Sequence, residues 1–193
     1  MATVETHRMT ADEFWEWATR PENAGKRWEL ERGEPIEMPP PGELHGVVTL
    51  LIGHLLAGYV FKRQQGYVCG NDTGLLVAQN PDTVRGPDLI LFDEKRRLDD
   101  LSRKHASGLP KLVVEVISPN DRPGKLNRRI SEYLKRRIPL IWVVDPEDRY
   151  VTVYRPGHEQ QTFDETEELT GEDVLPDFRC RVADFFTLPG ESS

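Results

Sequence analysis

The sequence predicts a mixed α/β fold, a central β-sheet flanked by helices, on three observations. Lys111–Ile117 carries the apolar run Leu112-Val113-Val114. Leu140–Val144 is a second apolar run. Between them, Asn127–Arg137 has helical spacing, with Ile130, Tyr133 and Leu134 on its inward side. Short apolar runs bounded by polar residues read as strands buried on both faces. A strand, a helix and a strand in series, after a set of antiparallel strands, give a mixed sheet with helices packed on it. The earlier strand candidates are Tyr67–Cys69, Leu75–Ala78 and Leu89–Phe92. Tyr150–Tyr154 follows the turn Pro146-Glu147-Asp148 and is expected to pair back as a hairpin strand.

Upstream, Thr10 followed by Glu13 reads as a capping box opening a short helix, Ala11 to Thr19. Pro21 to Lys26 is a loop. Trp28–Arg32 and Pro35–Met38 flank Gly33-Glu34 and read as a hairpin. Pro39-Pro40-Pro41-Gly42 breaks the chain before a long helix from about Glu43 to Gln64. The expected inward face of that helix is Val47, Leu50, Leu51, His54, Leu55 and Val60, with His54 a core histidine. The C-terminal stretch reads mostly as acidic loop, with Asp184–Phe186 docking on the core.

The chain has 193 residues, which suits a single domain, residues 1–193, with a core of about 9–187. Its 37% hydrophobic content can build that core, and its 30% charged content argues against a membrane protein. The longest apolar stretch, Val47–Val60, is broken by Thr49, Gly53, His54 and Gly58, whereas a membrane span needs about 20 mostly apolar residues. The opening MATVETHRMT has no apolar segment of the kind that directs secretion, so a cytoplasmic setting is expected. Cys69 and Cys180 sit in no metal-binding spacing.

The formal charge is -8, which alone disfavours indiscriminate attraction to nucleic-acid phosphates. Its distribution is uneven. Arg122 to Arg137 holds seven basic residues against the single acid Glu132, while Glu159 to Asp177 holds eight acids and no base. The basic segment either faces phosphates or is a solvated helix face.

Chemistry is most concentrated in two carboxylates at the ends of core strands. Asp88 follows Pro87 and precedes Leu89-Ile90-Leu91-Phe92; Glu115 lies in Leu112-Val113-Val114-Glu115-Val116-Ile117. An acid in an apolar strand costs several kcal/mol unless paired or bound to a cation. Mg²⁺ suits such a pair, because it takes one or two carboxylates, keeps several waters and binds substrate phosphate. The other reading is that Asp88 caps the turn after Gly86-Pro87 and Glu115 pairs with an arginine.

Several segments in order carry a resemblance: Trp28-Glu29-Leu30 with Gly33-Glu34, His45-Gly46, Asp72-Thr73-Gly74 and Arg85-Gly86-Pro87-Asp88. It continues through Val113-Val114-Glu115-Val116-Ile117-Ser118-Pro119-Asn120-Asp121, Tyr133, Ile141-Trp142-Val143-Val144-Asp145-Pro146, Val151-Thr152-Val153-Tyr154-Arg155 and Asp173-Val174-Leu175-Pro176-Asp177-Phe178. Over roughly residues 9–187 the chain resembles the Uma2 family of restriction-endonuclease-like proteins, in the PD-(D/E)XK nuclease superfamily. The resemblance implies a restriction-endonuclease-like fold in which Asp88 and Glu115 hold Mg²⁺ or Mn²⁺. The superfamily's lysine two residues after the glutamate is replaced here by Ile117. Uma2-like chains place a lysine on the following helix instead, at the position of Arg129. Arginine stays protonated and cannot act as a base, though it can stabilise charge on a phosphoryl group. Lys125, four residues earlier, shares a helix face with Arg129 if the helix starts early enough. Glu29 is a third carboxylate candidate or a hairpin ion-pair member. His45 is placed to contact a phosphate, water or metal, or else to cap its helix. Asp72, Asp121 and Asp145 read as turn organisers, and Tyr133 and Trp142 as core.

The expected function is a metal-dependent endonuclease hydrolysing DNA phosphodiester bonds. The alternatives are a nuclease-fold nucleic-acid-binding module without catalysis, and a regulatory or assembly protein, with a homodimer left open.

Overall fold

Two sheets meet at the short segment Arg85-Gly86-Pro87-Asp88. The computed structural model of the protein describes residues 7–70, 72–106, 108–119 and 121–191. The first six residues of the N-terminal stretch considered above, and Asn120 of the Ser118–Asp121 motif, lie outside them.

The smaller sheet is built from β1 (Arg27–Glu31), β2 (Glu34–Met38), β4 (Leu75–Ala78) and β5 (Thr83–Arg85), in the order β2-β1-β5-β4. β1 and β2 form the expected hairpin. Its tip is Arg32-Gly33, both with positive φ. That is the conformation a two-residue hairpin turn requires, and Gly33 adopts it at no steric cost. Helix α1 (Ala11–Ala18) opens with the Thr10/Glu13 capping box and closes over this sheet, joining Ala11 and Phe14 to Leu30, Leu76 and Val84.

The larger sheet has the order β10-β9-β8-β7-β6-β3, comprising β3 (Tyr67–Cys69), β6 (Leu89–Phe92), β7 (Leu112–Val116), β8 (Leu140–Asp145), β9 (Tyr150–Tyr154) and β10 (Gln161–Asp164). Among the described strands of this sheet, only β7 and β8 run parallel, and helix α3 (Pro123–Lys135) makes the connection between them. β7 is buried along its whole length, as its continuous apolar run requires. One face of the sheet packs under α2 (Glu43–Arg63) and the C-terminal segment. The other face packs under α3, through Ile130 and Tyr133, with Leu75 and Val77 contributed by β4.

Four expectations need correction. α3 starts at Pro123, not Asn127, because proline at the first helical position has no amide hydrogen to leave unpaired. The buried face of α2 is Val48, Ile52, Leu56, Tyr59 and Val60, so His54 is exposed and Leu50 is 73% exposed. α2 is apolar nearly all round, so sequence periodicity does not single out its inward stripe. It is also long and apolar enough by composition to cross a membrane, yet here that stripe lies on the sheet. The C-terminal stretch is not mostly loop: β10 extends the large sheet, and β11 (Glu168–Thr170) pairs with β12 (Arg179–Arg181). Leu169, Leu175, Phe178 and Phe185 bury themselves in the core beneath this acidic surface. Lastly, β5 (Thr83–Arg85) stands where no strand is expected.

Candidate functional site

Side-chain alternation brings the two acids together. On β6, Leu89 and Leu91 face α2, and on β7 so do Leu112, Val114 and Val116. Ile90, Phe92 and Val113 face α3, and the pleat puts Asp88 and Glu115 on that same side. Leu89 pairs with Val114 across the antiparallel ladder, so Asp88 and Glu115 are the next pair in register. Both are buried, at 8% and 6% exposure.

Each carboxylate is engaged. Asp88 accepts the backbone N–H of Val116 at 2.7 Å on one oxygen, and its other oxygen lies 3.2 Å from Nε2 of His45, in the first turn of α2. Glu115 accepts from Nη1 of Arg129 at 3.1 Å on both oxygens and from the Tyr133 hydroxyl. Arg129 and Tyr133 lie four residues apart on α3, hence on one helix face. Nη2 of Arg129 continues to Glu29 at 2.7 Å, tying α3 to the smaller sheet.

Glu29, 3% exposed, sits at the centre of this junction. It also accepts the backbone N–H of Gly86 at 2.8 Å and Nη1 of Arg85 at 3.1 Å. Arg85 is equally buried and spreads its fork over three acids: two bonds to Glu132, at 2.7 and 2.9 Å, and one each to Glu29 and Glu31. Arg128 closes the array on Glu31. At the other end Arg27 pairs with Asp72. The cluster thus sets six carboxylates (Glu29, Glu31, Asp72, Asp88, Glu115, Glu132) against four guanidiniums and the imidazole of His45.

The protonation tendencies follow from that crowding. Burial pushes the Glu115 carboxyl above the usual range; Arg129 opposes the shift, while Asp88 and Glu29 reinforce it. Burial opposes the charge of Arg129, but Glu115 and Glu29 outweigh it and hold the guanidinium protonated. The hydrogen bond to Asp88 raises His45 above its ordinary value, against burial. Burial lifts the Asp72 carboxyl, with Arg27 opposing. The site carries more negative charge than its own cations comfortably neutralise.

Of the residues singled out from sequence, Asp88, Glu115, Arg129, Glu29 and His45 are drawn into one continuous network. Lys125 stands one turn earlier on α3 and is exposed. Asp121 and Asp145 accept backbone amides of their own turns, as expected. Sequence reasoning passed over Arg85, Glu132 and the hydroxyl of Tyr133. Arg85 stood beside Asp88 in the motif itself, and an arginine ending a strand next to Gly-Pro is a signal that goes unread when β5 is missed. Trp142 is core, as expected.

The donor types suit a hard divalent cation, which takes one or two carboxylates and completes its shell with water: two buried carboxylates from adjacent strands. Among the described residues, however, no three or more His, Cys, Asp and Glu side chains form a ready-made metal cage. Arg129 holds the cationic place next to Glu115.

This arrangement of layers is a restriction-endonuclease-like α/β fold. A solved structure described as a "putative nuclease belonging to DUF820" from Anabaena variabilis superposes with a TM-score of 0.76, covering 92% of this chain and 97% of its own, at 21% identity. The chain belongs to the Uma2 family, whose model, described as "Putative restriction endonuclease", matches residues 11–183. No curated protein matches the chain.

Proposed function

We propose that the protein is a metal-dependent endonuclease acting on DNA phosphodiester bonds, with Asp88 and Glu115 as the metal-holding carboxylates. One observation carries this reading: two acids on neighbouring core strands point into one buried cluster where, among the described residues, Arg129 and His45 are their immediate cationic partners. The family and the fold support it. A divalent cation held there would supply Lewis-acid polarisation of the phosphodiester and would acidify an attacking water.

The chain's own residues do the rest. Asp88 is fixed by the Val116 amide and by His45, so its free lone pairs are aimed rather than searching. Glu115 is held by Tyr133 and by Arg129. With Asp88 and Glu115 holding a cation, the Arg129 guanidinium would be available to donate to non-bridging phosphate oxygens as negative charge builds on them. Arg129 cannot serve as the base. Glu29, which already accepts from Arg129, is the third carboxylate and would keep that guanidinium beside the cluster or help to hold the cation. His45 holds Asp88 and can carry a proton, and Lys125 meets the strand at the rim.

The test is cleavage of plasmid DNA with Mg²⁺ or Mn²⁺, with Asp88→Ala as control, alongside thermal melting. Millimolar Mn²⁺ should raise the wild-type melting temperature by mass action. Asp88→Asn should lose that response while keeping its metal-free stability, because asparagine still accepts the Val116 amide. No metal shift in wild type, with Asp88→Asn strongly destabilised, would overturn the reading. The Arg129–Glu115 pair itself favours a second one, a nucleic-acid-binding module whose carboxylates are permanently satisfied. That reading predicts DNA binding with neither cleavage nor a metal-dependent shift.

A further inference from the structure

Beside the acidic cluster lies a cleft between α1 and the end of the smaller sheet, with an open volume of about 400 Å³. Its walls are aromatic and apolar, with Phe14 and Trp15 on α1 and Trp28 and Met38 on the β1–β2 hairpin. Trp15 and Trp28 are each only partly buried. Nζ of Lys26 sits 5.4 Å from the centroid of the Trp28 ring, so a flexible, solvated ammonium covers that π-face. The other end of the cleft is polar. It holds Arg27, Asp72 and His105, and two buried nitrogens there, Nε of Arg27 and Nδ1 of His105, have no hydrogen-bond partner among the described residues. Buried polar groups are normally satisfied, and unsatisfied ones in a cavity call for a ligand or water.

The cleft borders the candidate site. Glu29 and Gly86 line both, and Asp72 lies within electrostatic reach of Asp88 and His45. Gly86 has no side chain to close the passage, and a Cβ there would come within 3.2 Å of the Asp72 carbonyl oxygen. An aromatic slot, unsatisfied polar nitrogens at its end and a phosphodiester site at its mouth together match one ligand fragment: a planar heterocycle with a polar edge, attached to a phosphate. Bases stack on aromatic side chains in single-strand sites, and an unstacked base can satisfy such nitrogens with its edge.

We propose that this cleft is a subsite for one unstacked nucleobase of the strand whose phosphate lies at Asp88 and Glu115. The inference rests on the nuclease reading. It makes the substrate a single-stranded, mismatched or locally opened nucleic acid, because a base within a duplex cannot reach the slot without leaving its stack.

The experiment measures binding of a single-stranded DNA oligonucleotide in EDTA, with an abasic residue moved through the sequence one position at a time. At one position, removal of the base should weaken wild-type binding roughly tenfold. Trp15→Ala should bind the intact strand about that much more weakly and be indifferent to the abasic residue at that position. Trp15→Leu keeps apolar bulk on α1 should the alanine variant fail to fold, and should lose the same discrimination. A strand bound equally well with and without every base would overturn the subsite, while leaving the phosphate site and the nuclease reading standing. A free mononucleotide bound as tightly as the strand would overturn the strand assignment in favour of a soluble nucleotide. No binding of any strand, together with no metal-dependent cleavage, would remove the nuclease reading and the subsite with it.

Discussion

Nη1 of Arg129 lies 3.1 Å from each carboxylate oxygen of Glu115, so one side chain of α3 covers both of the acid's oxygens. The pair is buried, and its partners are carried by separate elements, Arg129 mid-way along α3 and Glu115 near the end of β7. A cation arriving from solvent must compete with an internal one that is always charged.

Arg129→Ala should therefore cost the metal-free protein about 3 kcal/mol, because truncating one member of a buried pair leaves the other charge uncompensated. Added Mn²⁺ should recover part of that loss, and the Mn²⁺-induced rise in melting temperature should exceed that of wild type. A smaller rise in the variant would show that Arg129 helps the cation bind instead of competing with it. Differential scanning fluorimetry with and without Mn²⁺ reads both quantities.

Arg85 is the structural counterpart of Arg129. Its fork meets Glu132 with two bonds and reaches Glu29 and Glu31 with a third nitrogen. A lysine cannot reproduce that geometry. Arg85→Lys should lower stability by at least ~2 kcal/mol, and Arg85→Ala by ~3–5 kcal/mol, in urea unfolding. A loss within 0.5 kcal/mol, the usual range of a surface change, would mean that the three acids find other partners.

The two faces of α2 should respond oppositely to truncation. Ile52 is fully buried against the sheet, and Ile52→Ala should cost roughly 2–4 kcal/mol. Leu50→Ala, on the 73% exposed side, should change stability by less than about 0.5 kcal/mol. Reversed magnitudes would turn the helix by about half a turn about its axis.

Burial, with Asp184 and Glu168 adding repulsion, pushes the Cys180 thiol up to about 12. A raised value favours the neutral thiol in the folded state. Its contribution to stability is present below the ordinary value of 9.0 and is lost as pH rises toward the folded one. At pH 8 the reactive thiolate is suppressed, so iodoacetamide should label native Cys180 far more slowly than the urea-unfolded chain. Equal labelling rates, read by mass spectrometry, would place this thiol in an open environment.

What could be read from the sequence was what is local. Leu112–Val116 and Leu140–Val144 announce themselves because a strand buried on both faces has no polar alternation, and the Thr10/Glu13 box fixes its helix through two bonds made within four residues. Asp88 and Glu115 stood out because an acid in such a run needs a reason. What was hidden depended on distant partners. Arg85 binds Glu132 across 47 positions of sequence, and no periodicity encodes that. The inward stripe of α2 is chosen by the sheet beneath it, and the short strands β10 to β12 are held by a few buried side chains among many charges. Tyr133 was legible as core but not as a hydroxyl donor, since one side chain serves both ends.

Only Gly86 and Pro87 separate the last residue of the small sheet from Asp88 at the edge of the large one. Proline restrains the joint and two residues leave little slack, so the two sheets are closely tied at this point. Sliding one sheet against the other would shift Asp88 relative to Glu29 by a comparable distance. During synthesis, a chain that has emerged only as far as Arg85 carries Glu29 but neither Asp88 nor Glu115, and one that ends before α3 lacks Arg129 and Tyr133. The carboxylate–arginine cluster is thus assembled only after both layers have formed and docked.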